Sequence, residues 1–198
     1  MKTLPFLAAS LLACTLTLTA CKDKADKPAG TAELPARTTP VSIESIAREA
    51  RGFTVGAAVS ARTIYVFFDP QCSHCATLWN EARPLKAQAK FVWIPVGLLN
   101  ASSTPQGAAL LAAPDPVAAM DAHEESMRKK AGGITASGEL DTLKKAVELN
   151  TKLLDRYQFN SVPTIIGKNA ISGDVVIKEG ALPTAQLAEA FGLKPPVK

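Results

Sequence analysis

The sequence predicts an α/β fold, on three observations. Two runs rich in β-branched and aromatic residues, 63–68 and 90–99, flank a stretch whose apolar side chains recur at helical spacing. A long Ala-rich and charged region, residues 103–157, then has helical rather than strand patterning. After it come two short strand-like runs and a last helical run bounded by Pro183 and Gly192. The 198 residues, 47% hydrophobic and 20% charged, suit one globular domain plus a leader. The net charge of +4 is spread along the chain without a basic block, which argues against a nucleic-acid partner.

The elements follow in order. Lys2 precedes an uncharged apolar stretch, residues 4–20, ending in small residues, the pattern of a secretory signal. Its end, "LTAC", resembles a bacterial lipobox, which would make Cys21 the lipidated residue and the new N-terminus. "LLAC", ending at Cys14, fits less well. An uncleaved anchor is the alternative, because the apolar run is near the lower limit for a spanning helix. Residues 21–40 are charged, proline-bearing and poor in large apolar side chains, so they read as a flexible tether reaching roughly 20–25 Å.

The domain proper is expected over residues 41–198. "VSIESIAREA" has helical spacing, with Ser42 as N-cap and Gly52 as its stop. "TIYVFF" is a buried strand. A helix starting near Cys72 gathers Cys75, Leu78, Trp79, Ala82 and Leu85 on one face, and Pro84 should interrupt it. "KFVWIPVGLL" is the second buried strand, so these three elements form a βαβ unit with parallel strands. Two or three helices follow, divided by "GGITASG". "VPTIIGKN" and "GDVVIKEG" are short strands, and "PTAQLAEAFG" is the closing helix. This order is that of a thioredoxin-like fold with a helical subdomain inserted at about residues 103–157.

"DPQCSHC" carries the chemistry. A Cys-x-x-Cys pair can hold a metal, close a structural disulfide, or exchange electrons with other thiols. Loss of Cys14 with the leader and lipidation of Cys21 would leave Cys72 and Cys75 as the reactive pair. Zinc needs about four ligands, and Cys72, Cys75, His74 and His123 make a poor set. Copper delivery would want a further histidine, and His123, beside Glu124 and Glu125, reads as a solvated surface residue. A staple over so short a loop would restrict the unfolded chain little. Redox exchange is favoured: a helix N-terminus at Cys72 stabilises a thiolate, and Cys75 on the same face is placed to resolve a mixed disulfide.

Ser73 and His74 should face solvent and modulate the pair, with His74 favouring the reduced form. Asp69 reads as a turn residue at the strand end, the alternative being a proton-transfer role toward Cys75. Trp79 and Trp93 read as core. In "SVPTIIG", Val162-Pro163 is a candidate cis-proline loop facing the cysteines, with the Val162 backbone offered to an extended substrate segment.

Taken together, "YVFFDPQCSHC", "NEARPLK", "AALLAAPDPVAAM" and "VPTIIG" resemble the C-terminal domain of the bacterial DsbC/DsbG disulfide isomerase family. The DsbG branch is nearer, and the resemblance covers roughly residues 62–193. It implies a periplasmic thioredoxin-like domain with no cofactor, Cys72 as attacking thiol and Cys75 as resolving thiol. It also implies partners: exported cysteine-containing proteins and a membrane thiol reductase of the DsbD type. Full-length members carry an N-terminal dimerisation domain, for which the roughly 40 residues after Cys21 leave no room, so a monomer is expected and isomerase activity stays open. Ser73-His74 replaces the family's usual aromatic second residue, and His in that slot resembles the oxidase DsbA. The expected function is a DsbG-like reductase or isomerase. The alternatives are a DsbA-like oxidase and a membrane-tethered peptide-binding chaperone. The expected location is the periplasm, lipid-anchored, with Lys22 after Cys21 leaning toward the outer membrane.

Overall fold

The computed structural model describes residues 39–195. The leader, most of the tether and Cys21 lie outside the described residues. The elements run α1 (Ile43–Glu49), β1 (Phe53–Gly56), β2 (Thr63–Phe68), α2 (Ser73–Ala82), a 3₁₀ turn (Arg83–Leu85) and β3 (Lys90–Pro95). They continue with α3 (Ser103–Ala112), α4 (Pro116–Arg128), α5 (Asp141–Arg156), β4 (Thr164–Lys168), β5 (Val175–Glu179) and α6 (Thr184–Ala190). One five-stranded sheet has the order β1-β3-β2-β4-β5. β2 and β3 are parallel, and β1, β4 and β5 pair antiparallel with their neighbours.

β2 is the middle strand, buried on both faces, and its uninterrupted apolar run follows from that. Ile64, Val66 and Phe68 point into a core shared with α2 and α6. Tyr65 and Phe67, one residue out of phase, join Ile46 of α1 and Leu153 and Leu154 of α5 on the opposite face. Trp79 and Trp93 stack edge to face at 4.9 Å in the first core, with Phe68 5.5 Å from Trp93.

Several local signals act as their chemistry requires. Ser42 caps α1, accepting from the Ser45 amide at 3.1 Å. Pro84 has no amide to give the Asn80 carbonyl, and the Arg83 N–H takes that carbonyl instead as the chain tightens into the 3₁₀ turn. β3 ends at Pro95, short of the predicted 99, because the next residues turn away to bind Asp69. β1 was not predicted. Buried Asn150 of α5 closes this side by bonding both backbone groups of Arg51 and the Pro95 carbonyl, at 2.8–2.9 Å.

Candidate active site

The sheet register brings the two halves of the site together. β4 runs against β2 with Thr164 opposite Phe67, so residues 161–163 lie beside the chain that leaves β2 toward Cys72. The Val162-Pro163 bond is cis. Cys72 is the N-cap of α2, its backbone extended (φ −93°, ψ 114°), and its Sγ accepts from the Cys75 amide at 3.4 Å. On its other side that Sγ lies 3.5 Å from the Val162 carbonyl oxygen, to which a thiol at this position donates. The structure thus brings Cys72, Cys75, Val162 and Pro163 together and leaves Ser73 and His74 exposed on the rim.

The two sulfurs are opposite in acidity. Cys72 is 8% exposed and Cys75 0%. The Cys75 thiol, hydrogen-bonded to Cys72, pulls the Cys72 pKa down to about 6; burial opposes it, and the backbone amides of Cys75 and His74 and the His74 charge add to it. Cys75 moves the other way, pushed up by burial first and then by its bond to Cys72 and the charge there. Near neutral pH the pair holds one negative charge, on Cys72, and one proton, on Cys75. A nucleophilic thiolate and a protonated, sheltered partner one helical turn away are the parts of a dithiol–disulfide exchange.

Three buried polar groups fix this geometry. The Asp69 carboxylate, 0% exposed, accepts from the Gln71, Leu98 and Leu99 amides and the Ser103 hydroxyl, at 2.7–2.9 Å. It therefore anchors both the turn before Cys72 and the loop after β3. His123, expected at the surface, is instead fully buried. Its Nδ1 accepts from the Ile134 amide at 3.2 Å, so Nε2 carries the proton and donates to the Pro70 carbonyl at 2.7 Å. With both nitrogens engaged, and burial lowering its pKa, His123 is a neutral strut from α4 to the residue two before Cys72. The Gln71 side chain bonds that of Gln106 in α3, and both reach the Gly132 carbonyl. Sequence reading missed the strut and the glutamine pair because their partners lie 11–61 residues away.

A five-stranded mixed sheet, an inserted set of helices and a Cys-x-x-Cys pair at a helix N-terminus facing a cis-proline loop define a thioredoxin-like domain. Among solved structures, the catalytic domain of Proteus mirabilis ScsC aligns with a TM-score of 0.56 at 18% identity, covering 75% of this chain and 96% of that one. A periplasmic thioredoxin-like protein from Salmonella enterica serovar Typhimurium aligns at 0.59 and 15% identity, covering 78% and 97%. In sequence, the thiol:disulfide interchange protein DsbG of Pseudomonas aeruginosa is 31% identical over 140 residues, 69% of this chain and 54% of that protein. In its matched region the chain resembles the DsbC/DsbG type. It spans about half the length of the curated relatives it matches. No family model matches it.

Proposed function

We propose that the protein is a thiol-disulfide oxidoreductase of the bacterial periplasm, acting on cysteines of exported proteins. The observation that carries this reading is the Cys72 thiolate paired with the buried, protonated Cys75. In reduction, the Cys72 thiolate attacks one sulfur of a substrate disulfide, and the other substrate sulfur leaves as thiolate. Cys75 then gives up its proton and attacks the Cys72 sulfur. The Cys72–Cys75 disulfide forms, and the second substrate sulfur departs and takes a proton. The substrate gains two electrons and the pair loses them. The Val162 backbone, beside the attacking sulfur, would hold an extended substrate segment as an added strand.

The DsbG relationship supports the reductive or isomerising direction, with a membrane reductase of the DsbD type restoring the dithiol. One observation favours the oxidase reading: a stabilised thiolate stabilises the reduced pair and makes the disulfide more oxidising. Trapping the redox state of Cys72 and Cys75 in cells by alkylation separates the two directions. A reduced pair that becomes oxidised when the membrane reductase is removed is expected; a pair held fully oxidised would overturn the reductive direction in favour of the oxidase. We further propose that Cys21 is lipidated and holds a monomeric domain at the membrane, the outer membrane being favoured. Cys21→Ser should then release the protein from membranes, and continued tight association would contradict the lipid anchor.

A further inference from the structure

The inserted helices bring a second ionisable group to the nucleophile. A groove of about 310 Å³ runs between α2 and α4, and Cys72 and Glu124 both line it. Glu124 is half-buried and follows His123, whose bond to Pro70 pins this turn of α4 to the site. The acids beside it on α4 are already paired: Glu125 with Arg128 and Lys129, and Asp121 with Arg83 and the Trp79 indole. Glu124 itself forms no salt bridge among the described residues. Among the described residues, Arg128 is the one cation on the groove wall, and its guanidinium is bound to Glu125. From α2 the groove presents Cys72 and the neutral Ser73, Ala76, Thr77 and Asn80, while His74 is exposed and acts on Cys72.

Burial lifts the Glu124 carboxyl to about 7, and the charge of Cys72 adds to the lift. The thiol, at about 6, therefore gives up its proton before the carboxylic acid does. Interaction between two charges is reciprocal. An ionised Glu124 must oppose the Cys72 thiolate, and a Cys72 locked in a disulfide no longer opposes ionisation of Glu124.

We propose that Glu124 is a positioning residue for exchange at Cys72, holding a proton while Cys72 is a thiolate and releasing it when Cys72 enters a disulfide. The inference rests on Cys72 being the exchanging thiol. Reducing the Cys72–Cys75 disulfide then takes up two electrons, one proton at Cys75 and a further fraction of a proton at Glu124, leaving Cys72 as thiolate. Attack on a substrate runs this in reverse at Glu124: charge passes from Cys72 to the departing sulfur, and the carboxyl proton is released beside it.

The test compares wild type, E124Q and E124D in two measurements between about pH 5 and about pH 8. One is the ultraviolet titration of the Cys72 thiolate; the other is the equilibrium with dithiothreitol, corrected for that reagent's own ionisation. Wild type should show a broadened titration and take up a fraction of a proton more per disulfide reduced than E124Q. E124Q should titrate in one step with a lower midpoint, and E124D should keep the broadened form. Superimposable curves for wild type and E124Q would overturn the inference, as would E124D behaving like E124Q, which would mark a packing effect. A wild type that exchanges with dithiothreitol alongside those results would leave the oxidoreductase reading standing; a wild type that does not exchange at any pH would overturn both.

Discussion

Removing the Cys75 thiol is the sharpest perturbation of the site, because its hydrogen bond is the largest cause of the low Cys72 pKa. A hydrogen bond to a charged group is worth about 1.5–3 kcal/mol, and one pKa unit is about 1.4 kcal/mol, so Cys75→Ala should raise the Cys72 midpoint by about 1 to 2 units. With a pKa of about 6, wild-type Cys72 is about 90% thiolate at pH 7. The variant would be about 10–50% thiolate at that pH. Each variant thiolate is more basic and hence about 3- to 8-fold more nucleophilic, so the rates nearly cancel near neutrality. At about pH 5 they do not: the thiolate fraction falls by about 10- to 100-fold, and the net rate should fall by about 3- to 12-fold. The assay is the pH profile of the first attack on a small aromatic disulfide, read by release of its thiol. Cys75 does not compete in wild type, since it is buried with its pKa raised. A midpoint that moves by less than about 0.3 unit, or moves down, would refute the assignment of Cys75 as the stabilising donor.

Asp69→Ala strips the acceptors from four donors and should lower stability by about 3–5 kcal/mol in urea unfolding; a wild-type midpoint would show that the carboxylate anchors nothing. Burial holds His123 neutral in the fold at pH values where the unfolded chain is protonated, so stability should fall as pH drops below about 6.5. His123→Gln should flatten that fall, measured by urea midpoints at about pH 7 and about pH 5, and an unchanged slope would show that His123 is not held neutral in the fold. Glu124 contributes with the opposite sign. Its raised carboxyl adds stability below about 4.5 that is lost as pH rises through about 7, so E124Q should steepen the net acid-side fall. Gly133 has φ +90°, and a Cβ there would lie 2.4 Å from Cε1 of His123. Gly133→Ala should therefore both destabilise the fold and slow exchange at Cys72, and wild-type kinetics would contradict the link between this loop and the site.

What was legible in the sequence was local. The run 63–68, the apolar face Cys75, Leu78, Trp79, Ala82 and Leu85, the interruption at Pro84 and the cap at Ser42 each depend on neighbours within one helical turn or on an unbroken apolar stretch. What escaped depends on distant partners. β1 is four residues long, and its status as a strand comes from pairing with β3, which no short run announces. His123 was misread because Glu124 and Glu125 beside it signal a solvated face, whereas the Ile134 loop and Pro70 close over the ring. The turn reading of Asp69 anticipated its bond to Gln71, but not its bonds to Leu98, Leu99 and Ser103. Glu124 carried no motif; only the packing of α4 against α2 brings it to Cys72.

In the proposed exchange, Cys72 attacks and Cys75 resolves. Cys75→Ala leaves the attack intact and removes the resolving thiol, so the variant should accumulate mixed disulfides with exported proteins. These should be separable on non-reducing gels and dispersed by reductant, and they should disappear when Cys72 is also replaced by Ala. A Cys75→Ala protein that is folded yet forms no mixed disulfide through Cys72 would contradict the exchange mechanism outright.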